Sequence, residues 1–485
     1  MLIWLIGGPV LAAMIAFAVP SNRWRPWVVP LGALLHLALT CYCANQVDIS
    51  AFHNWLRLDP LGRVFLVFVS VFFFICALYA PGYLAHESER SNRVLCACLL
   101  LALSAMTLVT LSHHLGLMWI AVEATTLSTA PCIYFNHNAR SLEATWKYLL
   151  ICSVGLALAL FGSFCLAYAS LFAGEPSTLL FDDLVREATH LSVPWLHVAF
   201  IVTFVGYGTK MGLAPMHTWL PDAHGESPAL VSALLSGALL NVAFLAILRM
   251  YHICAAAGEG PFARRIMLGM GLASMGLTAV SMSRQRDIKR IIAYSSIEHM
   301  GMLMFGMGVG GVAVFGALLH MIHNGLTKGW LFLSAGNVYY VYGTKDTGKI
   351  RGMLRRVPWS GWMLLVGVFA ITGSPPFGPF VSEFQILSTT FKTGHLSAGL
   401  LFLVLLLLVF FGMAGIVIQC SLGPCPEPSE DTGRHENVAM VLPVLFYMGL
   451  ILLLGVYTPP FLQQWINEAV AFLQTAASSV RLLPQ

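Results

Sequence analysis

Apolar runs of spanning length follow one another along almost the whole chain, parted by short polar turns. Lipid offers no partner to an exposed peptide group, so such runs fold as helices that satisfy their own backbones. They predict helices near 1–19, 27–44, 62–82, 94–112, 115–135, 143–171, 195–216, 228–252, 264–281, 288–308, 311–340, 361–388, 396–420 and 438–458. The fold class is therefore an all-α polytopic membrane protein of about 14 transmembrane helices. The sixth and eleventh runs are long enough to tilt or to extend past the lipid. The first run lacks a basic leader and reads as a span rather than a signal peptide. Gln463, Gln464, Asn467 and Glu468 interrupt 461–480, which reads as a surface helix.

Composition agrees and excludes several classes. Of 485 residues 58% are apolar and only 10% charged, and a formal net charge of +4 gives no footprint for nucleic acid. The 11 cysteines fall mostly in apolar runs, such as Cys96, Cys98, Cys152 and Cys165, without a CxxC pair. They read as core-filling thiols rather than metal ligands.

Basic residues set the orientation. With the amino end outside, the cytoplasmic turns hold Arg23 and Arg25, Arg90 and Arg93, Arg140, the cluster Arg284, Arg286, Lys289 and Arg290, and the run from Lys345 to Arg356. The acidic, proline-rich stretch 424–436 then falls in a cytoplasmic turn.

The informative ionisable residues inside the runs are Glu123, Lys210, His299, His320, His323, Lys328 and Glu383. Each charge near a helix centre costs roughly 2.5–3.5 kcal/mol on insertion scales, so it needs a partner, water or a cavity. Lys210 lies in GYGTKMGLAPMHTWLP, where Pro215 breaks the seventh helix, and Glu383 follows Pro375, Pro376 and Pro379, which break the twelfth. Two broken helices in different halves, each with a buried ionisable group, are the pattern of two inverted-topology repeats. Glu123 is a carboxylate partner for Lys210: held close it keeps the ammonium protonated, and withdrawn in a low dielectric it lets the proton go.

His320 and His323 stand one turn apart and suit a proton relay between Lys210 and Glu383. His323 and Lys328 are five residues apart, which leaves one helical face, so joining them needs a break or water. No carboxylate or cysteine spacing near these histidines completes a metal site. The segment HTWLPDAHGESP, with His217, Asp222, His224 and Glu226, reads as a short cytoplasmic loop, either a proton entrance or a plain connection. Asp222, Asp287 and Arg290 suit anchors between loops.

HHLGLMWIAVEATTLSTAP, TKMGLAPMHTWLPDAHGESPALVSALLSGALLN, KRIIAYSSIEHMG, HMIHNGLTKGWLFLSAG and GSPPFGPFVSEF occur in order between about 90 and 390. In these segments the chain resembles the antiporter-like, proton-translocating membrane subunits of respiratory complex I, membrane-bound hydrogenases and multisubunit sodium/proton antiporters. The second and fifth are most similar to the component F branch of hydrogenase-4. The resemblance implies proton-transfer roles for Glu123, Lys210, His323, Lys328 and Glu383, with His299 and His320 beside them. A relative's central lysine corresponds to Asn241, which can hydrogen-bond but cannot store a proton.

The resemblance further implies a multi-pass protein of the bacterial cytoplasmic (inner) membrane with no cofactor in this chain. Nickel–iron and iron–sulfur centres are expected in partner subunits, namely other membrane subunits and a peripheral redox arm. The transported ion is the proton, with sodium as alternative or companion. The units are 1–93 with three helices, 94–252 as the first repeat, 264–420 as the second, and 421–485 as loop, last helix and tail. Competing readings are a subunit of complex I, of a cation/proton antiporter or of an inorganic-carbon uptake system, or a non-conducting scaffold, for which Asn241 is the motive.

Overall fold

The computed structural model describes residues 1–46, 49–87, 90–172, 174, 178–282, 284–424 and 434–479. Its helices are α1 Leu2–Ala18, α2 Arg25–Ala44, α3 Pro60–His86, α4 Arg93–Leu111, α5 Leu115–Ile133, α6 Ala139–Phe172, α7 Phe181–Arg186, α8 Val193–Met211, α9 Trp219–Glu226 and α10 Ala229–Leu234. They continue as α11 Leu240–Ala256, α12 Gly260–Met282, α13 Ile288–Val309, α14 Val312–Tyr342, α15 Met353–Arg356, α16 Pro358–Ile371, α17 Gly378–Lys392, α18 Leu396–Leu422, α19 Val438–Val456 and α20 Pro460–Ser479. A π-helical segment, Leu235–Leu239, joins α10 to α11. The only strands among the described residues are Ser50–Ala51 and Leu56–Arg57, paired antiparallel.

Among the described residues, eight helices are long and apolar enough to cross a bilayer: α2, α3, α4, α6, the joined α10–α11, α12, α18 and α19. The protein is thus a polytopic helical membrane protein. Burial grades across it, from the fully enclosed α10–α11 to α18, of which only 33% of the apolar window is buried. The outward faces of α1, α6 and α18 carry exposed Trp4, Phe161, Phe164, Leu407 and Phe411, as a lipid-facing surface requires. The helices that carry the charges are α5, α8, α13, α14 and α17: α6 packs on α8, α12 on α13, and α17 on α14.

Two breaks shape the interior. Gly212 adopts φ +82° immediately after α8, a left-handed cap that residues other than glycine accept poorly, and the chain resumes as α9 beyond Pro215. The run predicted as 361–388 is two helices, α16 and α17, parted at 372–377 around Pro375 and Pro376.

The expected loop HTWLPDAHGESP is not a loop. Residues Trp219–Glu226 form α9, with Trp219, Leu220, Ala223 and His224 buried against α6 and α13. A helix satisfies its own peptide groups where a buried loop would leave them orphaned. The surface helix expected at 461–480 forms as α20, and it buries Ile466, Ala469 and Leu473 against α3 and α11. Of the acidic stretch 424–436, residues 425–433 lie outside the described residues. The described cysteines are all free, and most are buried.

Candidate functional site

Lys210 occupies the last turn of α8 and is fully buried. Its ammonium donates to Thr126 Oγ1 at 2.8 Å and to Tyr148 Oη at 2.6 Å, and lies 4.5 Å from the Tyr148 ring centre. A hydrogen bond of 2.7 Å links Tyr148 Oη with Thr129 Oγ1, so α5 and α6 together hold the cation in a cage of neutral hydroxyls. The break itself is tied back by Trp219, whose Nε1 donates to the Thr209 carbonyl at 2.9 Å.

The expected contact between Glu123 and Lys210 is not made. Glu123 Oε1 accepts from Ser153 Oγ at 3.0 Å, its Oε2 has no partner, and no ion pair joins it to Lys210 among the described residues. The two remain within electrostatic range. On a helix, residues 123 and 126 lie about 60° apart around the axis, so Thr126 meets the lysine while Glu123 is turned aside. Glu123 instead lines a cavity of about 290 Å³ with Trp119, Ser153, Phe161 and Phe164.

A second cation lies in α14. Lys328 Nζ donates to the Ile292 carbonyl at 3.1 Å and to Ser295 Oγ, both on α13, and Glu298 of the same helix is within electrostatic range. Because α14 runs unbroken from Val312 to Tyr342, five residues turn His323 away from Lys328, and among the described residues no hydrogen bond joins the two. The histidines meet α17 instead. His299 Nδ1 is 3.0 Å from His320 Nε2, and His320 Nδ1 and His323 Nδ1 lie 2.9 and 3.1 Å from Ser382 Oγ.

Glu383 follows Ser382 and is 5% exposed, and its Oε1 has no hydrogen-bond partner among the described residues. Gly373, at φ +74°, lies so close to this carboxylate that a Cβ there would overlap it. Ligand-type atoms of His299, His320 and Glu383 all fall within 4.8 Å of one another. Sequence spacing offered no carboxylate to these histidines, whereas the fold brings one from the next broken helix. Asn241 is fully buried, with Nδ2 donating to the Gly237 carbonyl at 2.7 Å and Oδ1 unpartnered.

At the end of the bundle where α13 begins, Asp222 pairs with Lys147 at 2.9 Å and with Arg290, and Lys345 with Glu226 at 3.1 Å. Asp287 caps α13. Lys147, Asp222, Glu226, Asp287 and Arg290 border a polar cavity of about 630 Å³. Lys289 is buried beside it and donates to the Ser227 carbonyl. Midway along α11, Arg249 pairs with Asp59 at 2.6 Å, while Asp182 meets Arg57 at 2.7 Å and His113 at 3.1 Å. The hydrogen bond from His113 and the charge of Arg57 hold the Asp182 carboxyl down at about 2.

Sequence reasoning missed Tyr148, Thr126, Ser153, Ser382, Lys289 and Glu298 as members of these arrays. Glu298 carried a signal, being next to His299 in the segment already singled out. A tyrosine or hydroxyl in an apolar run carries none until its neighbour is known.

Residues 112–411, which include all the ionisable groups of both arrays, match the family model described as NADH:quinone oxidoreductase/Mrp antiporter, TM. The chain belongs to this family. Within the antiporter family, a hydrogenase-4 component F homolog of Methylacidiphilum infernorum (isolate V4) is 36% identical over 96% of this chain and 98% of that protein. A chain of the Mrp complex from Dietzia sp. DQ12-45-1b shares the fold at TM-score 0.88 and 18% identity, covering 99% of this chain and 98% of that one. A chain of the membrane-bound sulfane sulfur reductase, an archaeal respiratory membrane complex, does so at TM-score 0.87 and 19% identity, with 99% of each covered.

Proposed function

We propose that this chain is the proton-translocating subunit of a redox-driven membrane complex of the hydrogenase-4 or formate hydrogenlyase type. The observation that carries this reading is the pair of buried cations, Lys210 and Lys328, each held by neutral hydroxyl or carbonyl groups on a neighbouring helix. A fixed structural charge would take a carboxylate partner, whereas neutral acceptors leave the proton exchangeable. Approach of Glu123 favours a protonated Lys210, and its retreat toward Ser153 releases the proton. His299, His320, Ser382 and His323 form a hydrogen-bonded chain beside Glu383, which serves the release side. A hydroxyl both donates and accepts, so Ser382 can pass a proton between the rings.

In this reading the chain crosses the membrane about 14 times, and two inverted repeats, 94–252 and 264–420, place the breaks at helices seven and twelve. The first unit is 1–93 and the last 421–485. The basic turns face the cytoplasm of a bacterial inner membrane, so the polar cavity around Asp222 and Arg290 is the uptake mouth. Electrons flow elsewhere: nickel–iron and iron–sulfur centres belong to partner subunits, and this chain contributes no redox site.

Identity at 36% over nearly the full length favours the hydrogenase branch over a cation/proton antiporter, whose named relatives are 24–30% identical. Asn241 motivated a scaffold reading, but the buried Lys210, Lys328, Glu298 and Glu383 argue against it. Purification from native membranes tests the assignment. Co-purifying nickel–iron and iron–sulfur proteins support it; an NADH-binding module points to complex I, and neither points to an antiporter.

A further inference from the structure

His299 and His320 face each other across 3.0 Å with ring nitrogens rather than with carbon edges. The outer nitrogens are also engaged: His320 Nδ1 meets Ser382 Oγ at 2.9 Å, and the His299 ring bonds the Ile371 carbonyl. A carbonyl only accepts, so His299 donates there and turns its Nδ1 lone pair toward His320. Imidazoles oriented by a carbonyl or hydroxyl on the far nitrogen are the usual supports of metal ligands. The third member, Glu383, aims an unpartnered buried oxygen, and its ligand atom lies with both imidazoles inside 4.8 Å.

Two imidazoles and one carboxylate, with a fourth position open, suit a tetrahedral ion of the zinc class and not a hard alkali cation, which prefers oxygen. Zinc–nitrogen bonds of about 2.0 Å place tetrahedral nitrogens ~3.3 Å apart, so the ring pair need open only slightly from 3.0 Å. His320 must carry its proton on Nδ1, donating to Ser382, whose hydroxyl accepts equally well.

We propose that His299, His320 and Glu383 form a binding site for a divalent transition-metal ion such as Zn²⁺, whose occupancy closes the proton route. The closure rests on the proton-translocating reading; the site does not. An ion there takes the lone pairs by which His299, His320 and Glu383 would accept protons.

The test uses the purified, assembled complex, stripped with chelator and titrated with zinc chloride. Zinc retention is measured at equilibrium, and the zinc K-edge absorption reads the ligands. The expected result is a saturable site of one zinc per chain with two imidazoles among about four light ligands. Affinity falls at least about tenfold in H320Q and in the near-isosteric E383Q, and is unchanged in H395Q, which alters an exposed histidine. Zinc that binds with equal affinity and the same signature in H320Q and E383Q, or that the wild-type complex does not retain, overturns the site. Redox-driven proton uptake that continues at saturating zinc overturns the closure alone. Retention is read without pumping, so a complex that binds zinc but moves no protons separates failure of the functional reading from failure of the site.

Discussion

Lys210 Nζ lies 2.6 Å from Tyr148 Oη, while Glu123, the carboxylate suited to pair with it, is turned to Ser153 at 3.0 Å. The structure therefore holds apart the two groups that the proposed function has join and part. Tyr148 is what keeps the ammonium in place when the carboxylate is away. Tyr148→Phe removes an acceptor worth about 1.5 kcal/mol to a charged donor, so proton uptake into inverted vesicles is expected to fall about tenfold with normal assembly. Uptake unchanged from wild type would assign Tyr148 to packing alone.

Glu123→Gln keeps a side chain able to bond Ser153 but abolishes the charge that reaches Lys210. It is expected to slow proton uptake while leaving the amount of assembled complex within error. Ser153→Ala should do the reverse of a block, because it frees Glu123 to approach the lysine. Its effect is read as a shift in the pH at which uptake is half-maximal, relative to wild type.

Gly373→Ala combines two costs. The residue sits at φ +74°, and the new Cβ would meet the Glu383 carboxylate. Backbone strain alone costs about 1–3 kcal/mol. Proton release should be impaired even where the complex assembles, and a serine or alanine at the exposed Gly174, also at positive φ, should leave it intact.

Far from this route, Arg249 and Asp59 are 1% and 2% exposed and pair at 2.6 Å. Arg249→Met leaves the carboxylate buried, a loss of about 3–5 kcal/mol that would show as a lower Tm of the purified complex. Nearby Asp182 is held at about 2, below the ~3.9 of an unfolded aspartate. Its stabilisation is therefore complete above about pH 4 and is lost as pH falls through about 2. Asp182→Asn should flatten that acid limb in a thermal-stability series from pH 5 downward.

Much of this was legible in the sequence because lipid enforces helices wherever a run is apolar. The predicted span 94–112 differs from α4 by one residue at each end, and 288–308 from α13 by one residue at its last. Prolines and glycines announced both breaks. What stayed hidden depended on side-chain direction: the apolar Trp219 and Leu220 made α9 a buried helix where its charges suggested a loop. Likewise Lys328 turns to Ser295 and Ile292 rather than to His323, and Ser382 gathers two histidines from another helix, relations no spacing along one run can give.

The most direct test of proton passage through Lys210 is Lys210→Ala in the assembled complex, reading electron transfer and proton uptake in the same inverted vesicles. Proton passage through Lys210 predicts a complex of normal subunit composition whose redox-driven acidification is lost. Unchanged acidification with normal assembly would contradict it.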